Sequence, residues 1–85
     1  MAPLDEFYYR NYSHWTNIGT FRIEPVTLGG SWHVVLWFND ANLGTYSYPE
    51  TAAESISDGK HDHILGFEAS RLGVPRSPGS WNGFR

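Results

Sequence analysis

From Trp32 to Phe38 the chain alternates. Trp32, Val34, Leu36 and Phe38 share one side of an extended backbone, and His33, Val35 and Trp37 share the other. β-branched and aromatic residues favour a strand here. Asn39, Asp40, Ala41 and Asn42 are turn formers, and Leu43 to Tyr46 reads as the returning strand of a hairpin. Gly44 within it suggests a bulge or a close backbone approach. Upstream, Thr20 to Leu28 predicts a first strand with Phe21 and Ile23 on one side. Pro25 cannot donate to a ladder, so this strand is expected at an edge or with a bulge, which would also restore the parity of Val26 and Leu28. Gly29-Gly30 supplies the positive φ of a hairpin turn.

The period changes after Tyr46. Ala52, Ala53 and Ile56 form a narrow apolar stripe at helical spacing, and two alanines allow close approach to a sheet. Ser47 and Glu50 have the spacing of a capping box, Pro49 fits a first turn, and Gly59 suits the residue after the C-cap. The expected fold is α+β: a three-stranded antiparallel meander packed against one main α-helix. A single domain covers residues 1–76. It comprises an aromatic leader over 1–19, the meander over 20–47, the main helix over 48–59, and a turn with a short helix over 60–76. In the turn, Ile64, Leu65 and Phe67 are expected to tuck under the core. Residues 77–85, rich in Gly and Ser, are expected to form a flexible tail, with Trp81 as the residue that could dock.

Phe7, Tyr8, Tyr9, Tyr12 and Trp15 crowd the leader. Tyr8, Tyr12 and Trp15 lie at i, i+4 and i+7, one helical face. That face either covers core or offers a stacking surface, which tyrosine and tryptophan suit because each joins an apolar body to a polar handle.

Trp32-x-Val34, Leu43-Gly44-Thr45-Tyr46 and Glu50-Thr51-Ala52-Ala53 together resemble the AP2/ERF type of DNA-binding unit over about residues 21–58. The resemblance implies a three-stranded sheet with one helix across its back. It implies that Trp32, Val34 and Leu36 face the helix, and that His33, Val35, Trp37 and Asn42 occupy the DNA-facing positions. The chain as a whole is also similar to small bacterial proteins of no assigned activity, a likeness that implies none.

Net charge is −3 and the hairpin carries no arginine, which ranks nucleic acid below a protein partner or a second copy. Cysteine is absent, which removes disulfides, thiolate metal sites and a cysteine nucleophile and favours a reducing, cytoplasmic location. The start of the chain lacks a secretory pattern, and no apolar run reaches the ~18 residues of a membrane span.

His61-Asp62-His63 is the most metal-like cluster, with ligand types suited to Zn²⁺. Its i, i+2 spacing diverges on a helix, and a site would need His14 or His33 as well. It reads as a polar helix-exit loop, with His61 and His63 as weak metal candidates. There is no Gly-x-Ser-x-Gly elbow, Glu50 and Glu54 read as a solvated helix face, and Gly29-Gly30 is no phosphate loop. The expectation is therefore no enzyme, no cofactor and no membrane association. What remains is a small binding or structural module. Its candidate contact residues are His33, Val35 and Trp37 on the sheet with Tyr8, Tyr12 and Trp15 in the leader. A nucleic-acid module is the first alternative, and a metal-dependent activity at His61 and His63 is the second.

Overall fold

A computed structural model describes residues 9–84, the side chain of residue 84 excepted. Strands β1 (Tyr12–Thr16), β2 (Gly19–Leu28), β3 (Ser31–Phe38), β4 (Ala41–Tyr46) and the two-residue β5 (Gly83–Phe84) form one antiparallel sheet in the order β4-β3-β2-β1-β5. Helix α1 (Pro49–Ser57) lies on one face. A single turn of helix, α2 (Asp62–Leu65), and 3₁₀ turns at Ala69–Leu72 and Pro78–Ser80 complete the chain.

The α+β class and the expected meander are present as β2, β3 and β4. The three-strand count is corrected to four long strands and a short fifth. The added strand β1 lies in the aromatic leader and pairs Tyr12 with Ile23 through Thr16 with Gly19. In a strand, Tyr12 and Trp15 point to opposite faces, so the helical stripe does not exist. Local spacing misled here because Ser13, His14 and Thr16 hide the alternation, while β2 offered a free ladder. The C-terminal segment is likewise no free tail: Trp81 is 3% exposed, its Nε1–H donates to the Pro75 carbonyl at 2.9 Å, and β5 pairs with β1.

Pro25 sits opposite Val34 with no shift of register. It needs no bulge because β1 has ended by Ile23, so no ladder partner is lost on that side. The bulge falls instead in β4, where Leu43 is the extra residue between Asn42 and Gly44. That places Leu43 in the core and Gly44 at φ 140°. Gly29 and Gly30 turn the β2–β3 hairpin at φ 59° and 82°.

Helix α1 starts one residue later than a Ser47 cap would give. Its N-cap is Tyr48, extended as a residue before proline must be, and it makes no side-chain cap bond. The Ser47 carbonyl instead accepts from the Tyr9 hydroxyl at 2.7 Å. The C-terminus closes as a Schellman motif: Gly59 N–H donates to Ile56 O, and Lys60 N–H donates to Ser55 O, both at 3.1 Å. The core joins Phe21, Ile23, Val34, Leu36 and Leu43 to Ala52, Ala53 and Ile56. Trp32 shares that face but not its centre. It is 37% exposed at the sheet's end, where Tyr9 stacks on it at 5.7 Å and 17°. Leu65 and Phe67 pack against the core, whereas Ile64 is exposed.

Candidate functional site: the open face of the sheet

Alternation assigns every second strand residue to the face away from α1. Across the middle of the sheet this face carries Asn42, Trp37, Arg22, Ser13 and Gly83 in register. The neighbouring row carries Thr45, Val35 and Glu24, and His33 lies opposite Val26 beyond it. Among the described residues, no helix or strand crosses this face.

Three interactions organise the face. Arg22 ion-pairs with Glu24, donates to the Asn39 carbonyl at 3.2 Å, and lies 5.6 Å from the centre of the Trp37 ring. The cation thus lies over an aromatic ring with its charge matched by Glu24. Trp37 Nε1 is buried and has no acceptor among the described residues. Beside Arg22, a groove of about 510 Å³ is lined by Asn11, Tyr12, Ser13, Trp15, Glu24 and Gly83. Gly83 keeps the groove's end free: a Cβ there would meet Ser13 Oγ and Trp15 Cη2, both at 2.8 Å. Trp15 is 58% exposed on its rim.

Two stretches of the sheet's edges are blocked by side chains or irregular pairing. The Asn82 carboxamide accepts from Trp15 N–H at 2.9 Å and donates to Trp15 O at 3.1 Å, standing where another strand would pair. On β4 the bulge and the bond from Gly44 N–H to Asn42 Oδ1, 2.9 Å, interrupt the outer ladder. These are the usual devices against strand addition.

His33, Val35, Trp37 and Trp15 therefore come together on one face. Tyr12 does not: it is 8% exposed in the core on the α1 side, where burial pushes its phenol pKa up. Tyr8 lies outside the described residues. The sequence reading missed Arg22 and Glu24, although their parity opposite to Phe21 and Ile23 already placed them on this face.

The His61-Asp62-His63 cluster comes apart. His61 is 7% exposed in the interior, His63 is exposed, and Asp62 Oδ1 accepts from Ala69 N–H at 3.0 Å. Among the described residues no three His, Asp or Glu side chains converge as metal ligands. His61 Nε2 lies 2.6 Å from the Tyr46 hydroxyl and 3.1 Å from Ser55 Oγ. Ser55 donates its only hydrogen to the Ala52 carbonyl at 2.6 Å, so Ser55 Oγ can only accept from His61, while the Tyr46 hydroxyl can bond Nε2 in either tautomer. Burial, then the nearby His63, lowers the His61 pKa and keeps the ring neutral. Serine, histidine and tyrosine would suit nucleophilic chemistry, but Ser55 is fully buried with its hydrogen spent on its own helix. The arrangement is a latch joining β4, α1 and the exit of α1.

No helix among the described residues is long and apolar enough to cross a membrane. Compared with known protein families, curated proteins and solved structures, the chain matches none.

Proposed function

We propose that this chain is a small non-catalytic binding module whose open sheet face docks a protein surface. The observation that carries the reading is the contrast in cover. The α1 side holds the buried core, while the other side presents Trp15, Val35 and Trp37 around a charge pair with nothing described above it. Aromatic rings and arginine are the residues that concentrate binding energy at protein interfaces. Arg22 is matched by Glu24, so the face offers no basic stripe for a phosphate backbone. An AP2-type nucleic-acid reading uses the same face and would show itself as binding that weakens steeply with salt.

A photo-crosslinking residue replacing Val35, in cells the protein comes from, tests this reading. Crosslinks to a polypeptide are expected from position 35 and not from position 50, which is exposed on α1. Equal yields from both positions, or none from 35, would remove the open face as the docking surface.

A further inference from the structure

We propose that the occupant of the open face is a second copy of this chain, the two sheets packing face to face about a two-fold axis that passes between Arg22 and Glu24. The proposal names the partner of the surface assigned above and rests on that assignment.

The placement of charge points to this occupant. β2 has β3 and β4 on one side and β1 and β5 on the other. Arg22 and Glu24 sit two residues apart on it, on the same face, with side chains 37% and 41% exposed. A two-fold axis lying across the strands between them sets Arg22 against the partner's Glu24, and Glu24 against the partner's Arg22. An isologous interface requires a patch complementary to itself, and a cation and an anion side by side are the simplest such patch. An acidic polymer would meet Glu24, and a basic one would meet Arg22; the same face inverted meets both correctly.

The apolar positions obey the same operation. Trp37 is in register with Arg22, and Val35 with Glu24. The axis that exchanges the two charged rows therefore brings Trp37 of one copy onto Val35 of the other. Ring and aliphatic side chain would flank the four-membered charge cluster and shield it from water, where matched charges interact more strongly. Two sheets, each covered on the outside by α1, then pack face to face, which buries both faces of each antiparallel sheet.

Sedimentation equilibrium of the full chain, from low to high micromolar concentration, reads the outcome. The mass is expected to rise from 9.7 kDa toward twice that value. Arg22→Glu makes the patch doubly acidic and Glu24→Arg makes it doubly basic. Each variant alone should stay at one chain's mass, and an equimolar mixture of the two should regain the doubled mass. Both singles break the pair within a chain, so rescue on mixing reports contact between chains. Circular dichroism establishes that each variant is folded. Should either fail to fold, the crosslinker at position 35 in the otherwise natural chain gives the same information, as a covalent product of doubled mass. A natural chain that stays at 9.7 kDa throughout overturns the proposal. So does a mixture that stays monomeric while the natural chain doubles. A crosslink from position 35 to a chain of another mass would sink the second copy and leave the docking surface standing. Its absence would sink both.

Discussion

The two faces of this sheet are built from the same strands, one residue out of step. Phe21, Ile23, Val34 and Leu36 lie fully buried with Ala52, Ala53 and Ile56. Their neighbours Arg22, Glu24, Val35 and Trp37 remain partly exposed on the other side. On the first face every position is constrained by the shape of the adjoining helix. On the second, a cation, a carboxylate, a valine and an indole coexist, and among the described residues no helix or strand lies over them. Burial therefore concentrates on one parity of the sequence, and the other parity is where the proposed docking surface lies.

The comparison breaks first if the helix face does not dominate stability. Phe21→Ala should cost about 3–5 kcal/mol, the usual range for a fully buried aromatic. That approaches the total stability of a small domain, so the variant should be largely unfolded. Trp37→Ala on the open face should cost clearly less, because that ring is only partly buried and its Nε1 satisfies nothing. Urea unfolding of both variants at low protein concentration decides the point. Equal midpoints would mean that the open face is covered within the single chain.

Next in size is Trp81→Ala. The ring is almost fully buried and its donor is bonded to Pro75 O, so a loss of about 3 kcal/mol is expected. The same substitution should free β5 and speed amide exchange at Ser13, whose N–H points to the β5 side as that of Trp15 does. Unchanged exchange there would show that β5 holds without its anchor.

These contacts also mark what the sequence revealed and what it hid. The β3–β4 hairpin, the Gly29-Gly30 turn and the alanine stripe of α1 were legible because each is a local pattern. β1 and β5 were not. Ser13 pairs with Gly83 some seventy residues away, and no local period encodes such a partner. The Ser47 cap failed because Pro49 forces its predecessor Tyr48 to be extended, which moves the helix start. Of the candidate contact residues, Trp37, Val35, His33 and Trp15 fell on one face, while Tyr12 went to the core because residues 12–16 form a strand. His61 read as a solvated loop residue because nothing in its neighbours announces the Tyr46 and Ser55 contacts.

A smaller effect concerns pH and again separates the two sides, since the latch lies on the α1 side. Burial holds His61 below histidine's ordinary value of about 6.5. The unfolded chain then takes up the proton more readily than the folded one. Stability from this group is complete above the unfolded pKa and is lost as pH falls through that value toward the folded one. His14, also lowered by burial, acts in the same direction. The thermal midpoint should therefore drop between neutral and mildly acidic pH. His61→Phe should flatten that drop in part, leaving the share of His14. An unaltered slope in the variant would show that the latch does not exclude the second proton.

The smallest expected effect is the sharpest test of openness. Trp15 lies on β1 one residue after His14 and faces the open side, 58% exposed over Gly83. A side chain that makes so little contact should be removable at little cost. Trp15→Ala should change stability by no more than about 0.5 kcal/mol at protein concentrations where a single chain predominates. Most large aromatic truncations in a small domain do far more, so the near absence of an effect is informative. Iodide should quench Trp15 readily in the dilute natural chain while Trp81 stays protected. If a second copy covers the face, quenching of the Trp15 component should decline as the concentration rises, and the loss should vanish in Arg22→Glu. A destabilisation well above 1 kcal/mol, or an indole already shielded in dilute solution, would mean that the chain's own residues cover this face. The contrast between the two sides of the sheet would then be one of packing quality, not of open against closed.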